Sequence, residues 1–237
     1  KGVSFLSQKG CQPGNIVSVI LKNCLEYLIL YFSSIRLGTI LNPLPYNLSS
    51  NDIIKYIAYI ESKLVFCQKK HYKDLKPHFK ELVLVIDEKE NGNFLKLLDN
   101  INILDITDFS PLGNEPACIY YSSGTTGNPK GIVYSHKNMI ANISSIVRGF
   151  KWNKDDCHLI FLPLGHTASI NYSLLPCMYC GGKIVLFESF WKIRKNFWKY
   201  IEKYDVTYIQ VVPSVLFSIL NTHYKGYKRK NLKKFKY

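Results

Sequence analysis

No apolar stretch in this sequence approaches the roughly 18 residues that a helix needs to cross a bilayer. The nearest, Tyr27 to Phe32, soon meets Ser33, Ser34 and Arg36. The opening residues, Lys1, Gly2, Val3, Ser4 and Phe5, lack the apolar core and cleavage pattern of a secretory signal. Because position 1 is Lys and not Met, the expectation is a chain already missing its true start. Cysteine follows no dense, even framework either: Cys11, Cys24, Cys67, Cys118, Cys157, Cys177 and Cys180 are seven, scattered through apolar segments, which points to a reducing, cytoplasmic setting. Acidic residues are few, 17 against 31 Lys+Arg, for a formal charge of +14. The accompanying wealth of Ile, Asn and Tyr reads as a compositional bias, so charge alone says little about partners. No internal repeat is visible, and the one low-complexity segment is the basic run Lys225 to Tyr237.

What is present excludes a largely disordered protein: 47% of the 237 residues are hydrophobic and 14% aromatic, enough for a substantial core. Short β-branched runs alternate with longer segments of helical period, the sign of α/β architecture. Pro13-Gly14-Asn15 makes a turn before a strand at Ile16 to Leu21. Apolar residues from Cys24 to Leu37 keep helical spacing up to a stop at Gly38. Thr39 to Leu41 resumes the sheet, Ser49 or Ser50 caps a helix through Ile53, Ile54, Ile57 and Ile60, and strands follow at Leu64 to Phe66 and Leu82 to Ile86.

Asp87 to Gly113 is polar and punctuated, and is expected to separate a first α/β subdomain, 1–113, from a second, 114–237, cut short at its C-terminal end. In the second, strands are expected at Ala117 to Tyr121, Ile132 to Tyr134, Leu159 to Leu162, Ile184 to Phe187 and Val206 to Val212. Helices are expected at Asn138 to Phe150, Ser169 to Tyr179, Trp191 to Tyr204 and Ser214 to Leu220. The fold class is α/β, with two doubly wound sheets flanked by helices.

The stretch that carries chemistry is Tyr120-Tyr121-Ser122-Ser123-Gly124-Thr125-Thr126-Gly127-Asn128-Pro129-Lys130-Gly131. Its glycines let backbone N–H groups close on an anion without obstruction by Cβ atoms. The hydroxyls of Ser122, Ser123, Thr125 and Thr126 add donors that can also face a metal, and Lys130 supplies a mobile positive charge. Pro129 before Lys130 and Gly131 after it exclude a Walker A loop. A hydroxyl-rich surface turn would explain the Gly and Pro but not the hydroxyl cluster with its lysine. The constellation fits a polyphosphate.

This string resembles the phosphate-loop signature of the adenylate-forming family, which includes acyl- and aryl-CoA synthetases, peptide-synthetase adenylation domains and luciferases. The flanks agree in order. Pro13 to Val17 and Arg36-Leu37-Gly38-Thr39-Ile40-Leu41-Asn42-Pro43 resemble its early strands and helix end. Leu162-Pro163-Leu164-Gly165-His166 resembles the motif lining its acyl site, and Gly181-Gly182-Lys183 its turn into the next strand. Val206-Thr207 to Val212-Pro213-Ser214 resembles its pocket wall.

The resemblance implies part of the large N-terminal domain of an enzyme that activates a carboxylic acid with ATP as an acyl-adenylate. The acyl group then passes to a thiol, either coenzyme A or a phosphopantetheine carrier protein. Ser122, Ser123, Gly124, Thr125, Thr126, Gly127 and Lys130 would hold the β- and γ-phosphates, with Lys130 the catalytic group and Thr125 or Thr126 facing Mg²⁺. His166 and Pro213 would line the substrate pocket, His166 as a gate or wall and not as an acid–base catalyst. Gly165 stands where the family carries a bulky residue. The family's Thr-Glu motif, ribose-binding Asp and C-terminal Lys are not found, so this chain alone is expected not to complete the reaction.

Two other readings stay open. A short chain could use the loop only to bind a nucleotide or scaffold a partner. Lys225, Lys228, Arg229, Lys230, Lys233, Lys234 and Lys236, interleaved with Tyr224, Tyr227 and Phe235, could contact nucleic acid, although a solvated connection in a Lys-rich protein is the better account of them. Cys177-Met178-Tyr179-Cys180 is a CxxC for which zinc must be considered, but with no second CxxC, buried free thiols are the better account.

Overall fold

The computed structural model describes residues 1–86, 93–104, 113–122 and 130–221. They divide into two compact units, 1–138 and 139–237. No helix among the described residues is long and apolar enough to cross a membrane.

The first unit is a six-stranded sheet in the order β4-β3-β1-β2-β5-β6. Its strands are β1 (Ile16–Ile20), β2 (Ile40–Pro43), β3 (Leu64–Cys67), β4 (Val83–Val85), β5 (Pro116–Ser122) and β6 (Lys130–Ser135). All neighbours pair in parallel except β5 and β6. β1 and β3 are buried on both faces, which is why they read as nearly continuous apolar runs, with Ser18 the one polar residue in the two, and not as alternating ones. The helices are α1 (Gly2–Gln8), α2 (Leu25–Leu37), α3 (Ser50–Tyr59), α4 (Lys69–Phe79) and α5 (Asn93–Asp99). The chain steps one way from β1 to β2 and the other way to β3, so right-handed crossovers put α2 and α3 on opposite faces. Accordingly α2 packs with α1, and α3 with α4.

Local chemistry sets the ends of these elements. Gly38 ends α2 in the left-handed region at φ 79°, where a side chain is strained. Ser49 caps α3, its side chain accepting the Asp52 N–H. One apolar cluster, Ile20, Leu44, Ile53, Ile57, Val65, Cys67, Leu75 and Val83, glues α3 and α4 to the sheet. Ser18, buried in β1, accepts from Asn42 Nδ2 at 2.7 Å and pairs with Ser62 at 2.5 Å, so the strand's one hydroxyl is satisfied internally.

The division after Asn138 lies in the first turn of α6 (His136–Phe150) and not near residue 113. The reason is the pairing of β5 with β2 through Leu41 and Cys118. It keeps β5, and with it β6, in the first sheet. The sequence pattern gives no sign of α1 or α4, and α5 lies within the polar stretch Asp87 to Gly113.

The second unit builds a three-stranded parallel sheet, β8-β7-β9, from β7 (Cys157–Ile160), β8 (Lys183–Leu186) and β9 (Tyr208–Ile209). The expected helix from Ser169 to Tyr179 is three pieces, α7 (Thr167–Ser169), a π-helical turn at Ile170–Leu174 and α8 (Leu175–Tyr179). The helix expected from Trp191 to Tyr204 is likewise split, into α9 (Phe190–Ile193) and α10 (Phe197–Lys203) around a 3₁₀ turn, and α11 is Pro213–Leu220. β9 is shorter than the expected Val206 to Val212, because Val212 already caps α11. Leu159, Phe161, Phe190, Ile193, Phe197, Ile201, Val206, Val215 and Ile219 form the core. Buried Asp156 ties the strand starts together: it accepts from Thr207 Oγ1 at 2.9 Å and from the Asn153 N–H at 2.8 Å. Gly182 permits the turn into β8, since a Cβ there would stand 2.9 Å from the Asp156 carbonyl oxygen and 2.8 Å from Cys177 Sγ.

A buried histidine gives the first unit a pH dependence. His71 of α4 is 1% exposed, with Nε2 2.7 Å from the Tyr46 carbonyl and Nδ1 3.5 Å from Ser50 Oγ, which itself donates to Asp74. Burial holds the imidazole below its ordinary value of 6.5 against the Tyr46 bond; Lys70 pushes further down and Asp74 back up. The unfolded chain therefore takes up this proton first on acidification. The His71 contribution to stability is complete above pH 6.5 and is lost as pH falls from there through the lower folded-state value. His136, lowered by burial against Glu115, acts in the same direction. Between pH 7.5 and 5 the thermal midpoint is expected to fall, and to fall less in His71→Gln; equal slopes would refute the assignment.

Candidate functional site

β5 and β6 position the sequence-predicted phosphate loop. Ala117, Cys118, Ile119 and Tyr120 are buried, so β5 is held as an interior strand whose carboxyl end delivers Ser122 to the edge of the sheet. In open parallel sheets ligands gather at that edge. β6 returns antiparallel, with Tyr121 opposite Gly131 and Ser122 opposite Lys130. The two ends of the loop are thereby cross-strand neighbours, and Lys130 is exposed. Ser123, Gly124, Thr125, Thr126 and Gly127 lie outside the described residues.

Beneath these ends lies an arrangement that the sequence did not disclose. The Tyr121 ring stacks on Tyr56 of α3, with centroids 4.4 Å apart and planes at 29°. A Cβ on Gly131 would stand 3.3 Å from Ile119 Cγ2 and 3.6 Å from Tyr121 Cε1. Ile119 and the edge of the Tyr121 ring thus border the space that a side chain at Gly131 would take. Burial, with Tyr56 and Tyr59 nearby, pushes the Tyr121 phenol up to about 12. Burial also pushes the neighbouring Cys118 thiol up to about 12, so it is a protonated packing group and not a nucleophile at neutral pH. No local spacing could signal the Tyr56 contact, because α3 and β5 meet only through the fold.

His166 and Pro213 belong to the second unit. His166 caps α7, its Nδ1 accepting the Ala168 N–H at 3.2 Å. The neutral ring then carries its proton on Nε2, and the residue is exposed. The π turn that follows widens the backbone hydrogen bonding, a feature frequent at functional sites. Pro213 is the exposed first residue of α11, a position where its missing N–H costs nothing.

Among the described residues no group of three or more His, Cys, Asp or Glu side chains gathers to hold a metal ion. In the CxxC, the Cys177 thiol donates to the Lys183 carbonyl at 3.2 Å and is pushed up to about 12, chiefly by burial, while Cys180 donates to the Cys177 carbonyl at 3.3 Å. All seven cysteines are free thiols. The basic run from Lys225 to Lys236 lies outside the described residues.

Comparison with known proteins agrees with this geometry. 4-Coumarate–CoA ligase 2 of Nicotiana tabacum is 28% identical over 230 residues, covering 92% of this chain and 42% of that protein. Oxalate–CoA ligase of Arabidopsis thaliana is 24% identical over 225 residues, 92% of this chain and 44% of its own length. The chain thus spans less than half the length of the curated relatives it matches. Among solved structures, ATP-bound MatB from Rhodopseudomonas palustris superposes with a TM-score of 0.82 over 93% of this chain and 44% of its own, at 22% identity, which establishes the shared fold. The AMP-binding enzyme family matches residues 4–237, and the chain belongs to it.

Proposed function

We propose that this chain supplies the ATP-phosphate site of an acid–thiol ligase, an enzyme that activates a carboxylic acid as its acyl-adenylate and passes the acyl group to coenzyme A or a carrier-protein thiol. The observation that carries this reading is the register of β5 and β6: Ser122 stands opposite Lys130, so a loop of glycines and hydroxyls is closed at its base with a lysine at one end. Such a donor set suits a polyphosphate. Backbone N–H groups and the hydroxyls of Ser122, Ser123, Thr125 and Thr126 would hold the β- and γ-phosphates with Gly124 and Gly127 giving close approach.

Lys130 would neutralise charge that grows on the departing pyrophosphate as the carboxylate attacks the α-phosphate. Thr125 or Thr126 would face Mg²⁺, which supplies further charge stabilisation when bound. His166 and Pro213 would border the acid, the exposed Nε2–H of His166 serving as a hydrogen-bond donor. The free thiols, without a disulfide among them, accord with a reducing, cytoplasmic setting. The reading includes a division of labour in which residues 1–237 bind ATP while turnover requires the family's remaining segments.

The test has two arms. Calorimetry of this chain should show Mg-dependent ATP binding, and no binding would overturn the reading. Pyrophosphate release should then follow added carboxylic acid only in a protein carrying the remaining family segments. A panel of short, medium, long-chain and aromatic acids, with coenzyme A and a carrier protein as alternative acceptors, assigns the substrates. Robust acid-dependent pyrophosphate exchange by residues 1–237 alone would refute the division of labour.

A further inference from the structure

At the described ends of the loop, Tyr56 of α3 stacks on Tyr121 of β5, whose ring edge lies beside Gly131 of β6. One residue further along each strand stand Ser122 and Lys130, from which the loop is hung. Tyr56 and Tyr121 both pack against the cluster formed by Ile20, Leu44, Ile53, Ile57 and Val65. Tyr56 therefore presses on the hairpin from a helix that is capped at Ser49 and anchored through its own core face. β6 is exposed along Lys130 to Val133 and ends the sheet, so among the described residues no strand braces its outer side. The hairpin's geometry at this end depends on what holds Tyr121.

We propose that Tyr56 is a positioning residue for ATP: its ring holds Tyr121 in place beside Gly131 and so fixes the spacing and register of Ser122 and Lys130. The proposal rests on the reading of the loop as the ATP-phosphate site and deepens it. Tyr56 acts through Tyr121, and its effect falls on the phosphates held between the strand ends.

A stacked aromatic pair corresponds to about two- to tenfold in an equilibrium constant. Tyr56→Ala is accordingly expected to weaken ATP binding about fivefold in calorimetry, while AMP, which lacks the β- and γ-phosphates, binds as to the wild type. Tyr56→Phe keeps the stack and should restore wild-type ATP affinity. Tyr56→Leu keeps bulk without the aromatic face and should weaken ATP as Tyr56→Ala does, which covers the case of a poorly folded alanine variant. Ile57→Val, 1% exposed in the same cluster, should lower the thermal midpoint with no change in ATP affinity. Unchanged ATP binding by Tyr56→Ala and Tyr56→Leu overturns the proposal, as does a parallel loss for AMP or in Ile57→Val. A wild-type chain that binds no ATP refutes the nucleotide reading itself, and the role of Tyr56 with it.

Discussion

Replacing Lys130 by alanine is expected to weaken ATP binding about ten- to a hundredfold and leave the thermal midpoint unchanged. The separation of the two effects follows from where the residue lies. Lys130 is exposed at the first position of an edge strand, so its removal opens no cavity and strands no buried partner. A hydrogen bond to a charged group contributes about 1.5–3 kcal/mol, which converts to the affinity range given. Lys130→Arg keeps the charge on a longer, planar group and should retain part of the affinity. The wild-type dependence of ATP binding on salt should flatten in the alanine variant, because one screened attraction has been lost. AMP should bind both proteins alike. Equal ATP affinity in wild type and Lys130→Ala would remove this lysine from the phosphate site.

The contrast between what could and could not be read in advance has a physical basis. Runs such as Ile16 to Ile20 and Leu64 to Cys67 are buried on both faces, so their composition announces them. Gly38 and Ser49 mark helix ends by local backbone and side-chain chemistry. α4 was hidden because its fully buried stripe is only His71 and Leu75 among lysines, too sparse for a helical period. α1 is a single short helix with Phe5 and Leu6 as its apolar anchors. The π turn at Ile170–Leu174 shares its apolar spacing with an ordinary helix, and only the backbone hydrogen bonds tell them apart.

The site shows the same split. The loop's residue types suggest a polyphosphate and single out Ser122 and Lys130. That these two face each other is a matter of strand register, and that their hairpin belongs to the first unit depends on the long-range pairing of Leu41 with Cys118. The Tyr56 stack depends on the packing of α3 against the sheet, which no local pattern encodes.

Phe66→Ala is expected to destabilise the first unit by about 3–5 kcal/mol, the range for removing a buried aromatic side chain. Phe66 is 0% exposed at the centre of β3, between Val19 of β1 and Leu84 of β4. Its ring lies 6.3 Å from Phe5 of α1 and 6.0 Å from Phe94 of α5, and those two meet edge-on at 5.4 Å. α1 and α5 are seven-residue helices, too short to persist without tertiary contacts. Losing the shared ring should therefore release both. Urea unfolding should show the lowered midpoint, and brief proteolysis should cut within Gly2–Gln8 and Asn93–Asp99 before the rest of the unit. Phe66→Leu, which keeps most of the volume, should cost about 1–2 kcal/mol. Because the three rings pack away from β5 and β6, ATP affinity measured well below the unfolding transition should match the wild type, the reverse of the Lys130→Ala pattern. A loss below about 1 kcal/mol in Phe66→Ala would mean that the ring trio does not hold α1 and α5 to the sheet.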